Sequence, residues 1–125
     1  MKFLHSMIRV KNLDASMKFY KELIGLKPSE TLRLEDCTLY YLKDESTGVE
    51  IELTLNDETP QDGYEKGNAF GHFAFEVEDM DAISRKVAEL GYEWLYEPFY
   101  MEEAGFTIAF ITDPDGNEIE FICKK

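Results

Sequence analysis

The chain has 125 residues, 44% of them hydrophobic and 14% aromatic, and a formal net charge of −13. That length suits one globular domain with a genuine core. No apolar run nears the roughly 20 residues that span a bilayer, and the acidic balance excludes a phosphate-neutralising nucleic-acid surface and attraction to an anionic membrane.

The N-terminal stretch "MKFLHSMIRVKNLD" spaces its charges too closely for a secretory leader, so a cytoplasmic protein is expected. Residues 3–10 read as a first strand. In "NLDASMKFYKELIG", Leu13, Met17, Tyr20 and Leu23 recur at helical spacing, giving a helix over 14–24. Asn12 or Asp14 can cap its start, and Gly25 suits its left-handed end. Strands follow near 31–35, 37–43 and 48–55. The polar stretch "DETPQDGYEKGN" then reads as a linker or long loop. Beyond it the order repeats: a strand at 71–77, a helix at 80–90, and strands near 93–99, 105–112 and 117–123. Pro114 and Gly116 in "DPDG" turn the last hairpin. Cys37 and Cys123 have no CxxC spacing and are expected as reduced structural thiols.

The two halves match position by position. His5 and His72 lie 67 apart, as do Val10 and Val77, Asp14 and Asp81, and Leu23 and Leu90. "EIEL" at 50–53 and "EIEF" at 118–121 lie 68 apart, a slip of one residue that a loop absorbs. The fold class expected is therefore α+β: two βαβββ modules forming a curled mixed sheet with helices on its outer face. Module one covers about 1–56, a loop 57–69, and module two about 70–125, together one domain.

Strand alternation decides which way the side chains point. On the first strand Leu4, Ile8 and Val10 share the face toward the helix, while His5, Met7 and Arg9 share the other; Met7 reads as packing. On the strand at 48–55, Val49, Ile51, Leu53 and Leu55 face the helix, with Glu50, Glu52, Thr54 and Asn56 opposite. In the second half Phe73, Phe75, Val77, Ile119 and Phe121 point inward, while His72, Ala74, Glu118 and Glu120 point away. Glu50, Glu76 and Glu118 read as solvated charges. The chain has only two histidines, and each takes the equivalent place in its half with a Glu at almost the same remove. If the sheets curl together, His5, Glu52, His72 and Glu120 supply two imidazoles and two carboxylates. That is a donor set for a borderline divalent ion with positions left open for Lewis-acid chemistry.

Over nearly its whole length the chain resembles glyoxalase I, of the vicinal-oxygen-chelate superfamily. The resemblance rests on "LHSMIRVKNLDASMKFYKELIGLK", "EIELTLN", "FGHFAFEV" and "IAFITDPDGNEIEFI". It implies that His5, Glu52, His72 and Glu120 are metal ligands, and that Arg9 and Asn56 hold the γ-glutamyl end of glutathione. It implies Ni²⁺ or Co²⁺ rather than Zn²⁺, because the chain is compact, and a homodimer. The implied reaction isomerises the hemithioacetal of methylglyoxal and a thiol to the thioester of D-lactate. A divalent cation chelating both substrate oxygens would stabilise the enediolate, with Glu120 as the base and Glu52 as ligand and second base.

Longer family members carry basic residues on the loop before "IAF" and ahead of the second histidine. Here stand Glu102, Glu103 and Asn68, which makes the natural thiol glutathione or an analogue; Lys66 lies nearby in sequence. The aromatics of "YEWLYEPFY" (residues 92–100) read as core or dimer contacts rather than pocket lining. Two alternatives stay open on the same fold: another metal-dependent enzyme of epimerase type, and a metal-free binding module of the bleomycin-resistance kind. An extradiol dioxygenase fits less well, because Glu52 adds a fourth ligand.

Overall fold

In the computed structural model, which describes residues 1–125, the order βαβββ occurs twice. One compact unit, Met1–Glu65, contains β1 (His5–Arg9), α1 (Leu13–Lys18), β2 (Lys27–Arg33), β3 (Cys37–Lys43) and β4 (Glu50–Asn56). The other, Lys66–Lys125, contains β5 (His72–Glu76), α2 (Met80–Glu89), β6 (Tyr96–Met101), β7 (Phe106–Thr112) and β8 (Glu118–Cys123). Each unit has its own mixed four-stranded sheet, ordered β1-β4-β3-β2 and β5-β8-β7-β6. In both, the first strand lies parallel to the last and the other neighbours are antiparallel. That parallel pairing sets the histidine strand directly beside the glutamate strand.

The helices start alike. The Asn12 side chain accepts from the Ala15 N–H at 3.0 Å, and that of Asp79 from the Ala82 N–H at 3.1 Å; each satisfies an otherwise orphaned donor of the first turn. They end differently. α2 stops at Gly91, whose φ of 81° lets the Tyr92 N–H return to the Val87 carbonyl at 2.9 Å. α1 instead runs into a π-helical turn, Phe19–Leu23, in which the Ile24 N–H reaches the Phe19 carbonyl at 3.2 Å. The capping residues Asn12 and Asp79 are 67 apart, but the terminal glycines Gly25 and Gly91 are 66 apart. A π turn holds one residue more than an α turn. One slip in the repeat thus sits inside the first helix, where the periodicity predicts unbroken α-helix over 14–24.

Each unit buries its own apolar set. In the first, Val10, Phe19, Tyr20, Leu42 and Leu53 are fully buried and Leu23 is 1% exposed. In the second the set is Val87, Ile111, Ile119 and Phe121, with Trp94 edge-on to Phe121 at 6.0 Å. Leu4, expected among them, is 61% exposed, and Met7 is 39% exposed rather than packed. Leu4 precedes the short β1 ladder, which begins at His5, whereas Met7 stands in the middle of β1, the edge strand of its sheet.

Two strands differ from their expected ranges. β2 is Lys27–Arg33, not 31–35, because it pairs with β3 from Lys27 opposite Lys43 to Arg33 opposite Thr38. Residues 34–36 must then make the turn, closed by the Leu34 N–H on the Cys37 carbonyl at 2.9 Å. β6 is Tyr96–Met101, not 93–99, with its register shifting between Tyr96 and Phe99, around Pro98. Proline cannot donate to a ladder and is accommodated at such irregularities.

The hairpins leading into β4 and β8 are each organised by an aspartate. Asp44 accepts from the Ser46 N–H and hydroxyl and from the Thr47 hydroxyl. These bonds hold its carboxyl below the ordinary carboxylate range. Asp113, 4% exposed, accepts from the backbone N–H groups of Asp115 and Asn117 and from the Asn117 carboxamide at 2.8–3.0 Å. Both turns finish on a glycine at positive φ, Gly48 and Gly116.

Candidate metal centre

His5 opens β1 and Glu52 lies in the middle of β4. The parallel register sets His5 opposite Glu50 and Met7 opposite Glu52, so His5 and Glu52 share a face and meet on a diagonal. The His5 Nε2 is 3.6 Å from the Glu52 Oε1. In the second unit His72 stands opposite Glu118 and Ala74 opposite Glu120. Here Nε2 of His72 is 2.8 Å from Oε2 of Glu120. The imidazoles are accessible, 39% and 42% exposed, while the carboxylates are largely buried, at 9% and 13%. A sunken carboxylate under an open imidazole presents nitrogen and oxygen lone pairs toward the same space.

The frame around the two pairs is alike in shape and different in chemistry. Tyr41 is in register with Glu52 and stands edge-on to His5, ring centroids 5.6 Å apart. Phe110 is in register with Glu120 and stands edge-on to His72 at the same 5.6 Å. Glu52 accepts from the Thr54 hydroxyl at 3.0 Å. The Tyr41 phenol is pushed up to about 12, first by the facing Glu52 carboxylate and then by burial. Strand alternation puts Thr54 on the ligand face but gives it no role. It gives no sign of Tyr41 at all, because only the β3–β4 register places that residue against Glu52.

Arg9 ends β1, exposed, and Asn56 ends β4, part-buried, with its NH₂ group donating to the Tyr64 hydroxyl at 2.9 Å. Arg9 lies four residues along β1 from His5, about 13 Å at the usual rise. A groove beside Asn56 is lined also by Asp36, Asp57 and Glu58. Glu50, expected to be solvated, accepts a hydrogen bond from the Ser29 hydroxyl, whereas Glu76 pairs with Lys124 at 3.4 Å and Glu118 is exposed. Glu102 and Glu103 are exposed in the turn after β6, and the Lys66 side chain lies against Gly116. Of the aromatics at 92–100, Trp94 packs on Phe121, while Tyr96, Phe99 and Tyr100 are 56%, 44% and 59% exposed.

A family model described as the Glyoxalase/Bleomycin resistance protein/Dioxygenase superfamily matches residues 2–121. The lactoylglutathione lyase of Neisseria meningitidis serogroup A is 39% identical over 132 aligned positions, spanning 100% of this chain and 92% of that one. This chain belongs to the glyoxalase superfamily, among the lactoylglutathione lyases. Among solved structures, glyoxalase I from Zea mays superposes with a TM-score of 0.84 at 31% identity, covering 97% of this chain but only 44% of the maize one. The present chain therefore spans less than half the length of the maize glyoxalase. A trypanothione-dependent glyoxalase I from Leishmania major gives 0.77 at 33% identity, covering 99% and 87%.

Membership in the glyoxalase I family implies a divalent metal, and the donors present fit one. Each half supplies one imidazole and one carboxylate, and neither pair includes a thiolate, since Cys37 and Cys123 are buried free thiols. Each pair offers two donors, and no group of three or more His, Cys, Asp and Glu side chains stands ready-made in the chain. No helix is long and apolar enough to cross a membrane.

Proposed function

We propose that the chain isomerises the hemithioacetal of methylglyoxal and a thiol to the S-D-lactoyl thioester, with His5, Glu52, His72 and Glu120 as its metal ligands and the two modules working as one domain. The observation that carries this reading is the duplicated pair itself. Two histidines in 125 residues each have Nε2 within 3.6 Å of a largely buried glutamate on the neighbouring parallel strand. A scattered solvent face gives no reason for that recurrence. The relatives named lactoylglutathione lyase support the same chemistry.

The chemical obstacle is a C–H proton of low acidity beside an aldehyde-level carbon. A bound divalent cation supplies positive charge against the oxygens that become negative as that proton leaves. His5, Glu52, His72 and Glu120 would hold the ion. Glu120 would take the proton from C1 and return it to C2 as a carboxylate general base; Glu52 is the second candidate for that transfer. Arg9 and Asn56, at the far end of β1 and β4, hold the γ-glutamyl end of the thiol, glutathione or an analogue. The acidic lining beside Asn56 suits the ammonium of such a group.

We assign Ni²⁺ or Co²⁺ ahead of Zn²⁺ on the family resemblance, because the chain is compact. A homodimer is proposed from exposed apolar side chains on or beside strands of both units, Phe3, Leu4 and Leu32 in one and Phe70, Tyr96 and Tyr100 in the other. Two buried free thiols agree with a cytoplasmic site of action. The test is metal-depleted protein given methylglyoxal, glutathione and each metal in turn, followed by the ultraviolet absorbance of the thioester. Activity restored by Ni²⁺ and Co²⁺ above Zn²⁺ is expected. No thioester with any divalent ion would leave the metal-free binding module as the better reading.

A further inference from the structure

We propose that the Tyr41 and Thr54 hydroxyls are positioning groups that clamp Glu52 in place as a permanent ligand, and that the absence of such a clamp around Glu120 is what frees the second glutamate to move. The inference rests on the ligand reading above and adds a cause for the unequal roles of two equivalent carboxylates.

The two glutamates occupy matching places in different company. Glu52 receives the Thr54 hydroxyl on Oε2 at 3.0 Å, while its Oε1 faces His5. Tyr41 stands directly opposite Glu52 on the adjoining strand, and its hydroxyl faces the same carboxylate. One hydroxyl from its own strand and one from the adjoining strand hold the side chain from two sides. Thr54 itself is 4% exposed, so its hydroxyl is sheltered from competing water. In the second unit the cross-strand position is Phe110 and the position two residues on is Ile122. The ring stays, edge-on to the histidine at the same distance, but both hydroxyls are gone. Packing is thus kept where the hydroxyls are not, and apart from the His72 Nε2 at 2.8 Å, Glu120 is bordered at these two positions by groups that fill space without holding an oxygen.

Hydrogen bonds to a ligating carboxylate fix its orientation, and removing such outer partners lowers metal affinity by roughly 10- to 100-fold. A carboxylate that must leave the ion to carry a proton is better served without them. The two environments therefore divide the labour: one glutamate anchored, one mobile.

The experiment uses full-length protein loaded with Co²⁺. Its visible absorption reports the ligand field, and chelator competition reports affinity. The Tyr41→Phe/Thr54→Val double variant, which keeps both side-chain shapes, is expected to bind Co²⁺ at least about tenfold more weakly and to shift the absorption bands. Thr54→Ser, which keeps a hydroxyl, is expected to recover most of the affinity lost by Thr54→Val. The converse double variant, Phe110→Tyr/Ile122→Thr, is expected to bind Co²⁺ at least as tightly as wild type while kcat falls and KM stays within about twofold. A double variant Tyr41→Phe/Thr54→Val with wild-type affinity and spectrum overturns the clamp while leaving the ligand reading intact. A changed melting temperature with an unchanged spectrum likewise reduces the two hydroxyls to structural bonds and overturns it. Wild-type protein that takes up no Co²⁺ overturns the ligand reading and the clamp together.

Discussion

The two halves of this chain solve one geometric problem with different local chemistry. Both place histidine at the start of the first strand and glutamate on the last, and both set an aromatic ring edge-on to the imidazole at 5.6 Å. Where they part is in what surrounds the carboxylate, two hydroxyls in one half and none in the other. They part again in the helix, which takes a π turn in the first half and a plain glycine stop in the second. A duplicated fold thus conserves the positions from which side chains project more strictly than the company those side chains keep.

The largest expected break in the comparison is at the glutamates. Glu120→Gln should fold and lose turnover by roughly 10²–10⁴-fold, the usual worth of a general base, whereas Glu52→Gln should lose chiefly its metal. Elemental analysis beside steady-state kinetics of both variants checks this. Equal metal retention with unchanged turnover in Glu120→Gln would remove it from the base role.

Core truncation asks whether the halves are equally dependent on packing. Phe121→Ala empties a fully packed site beside Trp94 and should cost about 3–5 kcal/mol; Leu53→Ala, buried without exposure in the first unit, should cost about 2–5. Denaturant unfolding measures both. The caps sharpen the likeness instead: Asn12→Ala and Asp79→Ala remove equivalent bonds and should each cost about 1 kcal/mol, so a wide gap between them would show that the helices are not equally coupled to their sheets.

The smallest effect belongs to the first unit alone. Arg33 grips Asp57 through both guanidinium nitrogens at 2.6 Å, and the first cause of the low Asp57 pKa is that bond. A carboxyl depressed in the folded state adds stability above its unfolded pKa and loses it as pH falls through the folded value. Asp57→Asn should therefore flatten the acid side of the stability curve slightly, and less so at high salt, because both side chains are about half exposed. Melting temperature against pH checks the sign.

Much of the fold and of the ligand pairs is legible in the amino-acid sequence. The period-two alternation of "EIELTLN" and "EIEFIC" assigns Glu52 and Glu120 to one face, and the repeat offset ties His5 to His72. The position of β2 is not legible, because "KPSETLR" is exposed along its whole length; with no buried face it has no alternation to read, and pairing with β3 alone makes it a strand. The π turn is hidden because Tyr20, Leu23 and Ile24 satisfy helical spacing whichever way the turn is wound. Tyr41 is hidden for a different reason. Its neighbour in space is set by hairpin register, a long-range fact that no local window carries.

The aspartate turns that open β4 and β8 matter more than their size suggests. A strand offers only two faces, so parity is all that separates a glutamate aimed at the imidazole from one driven among the core leucines and isoleucines. Asp113, with its three bonds across "DPDGN", counts out the residues before Glu120. A single insertion there would leave a well-formed hairpin whose chemistry had been turned inside out.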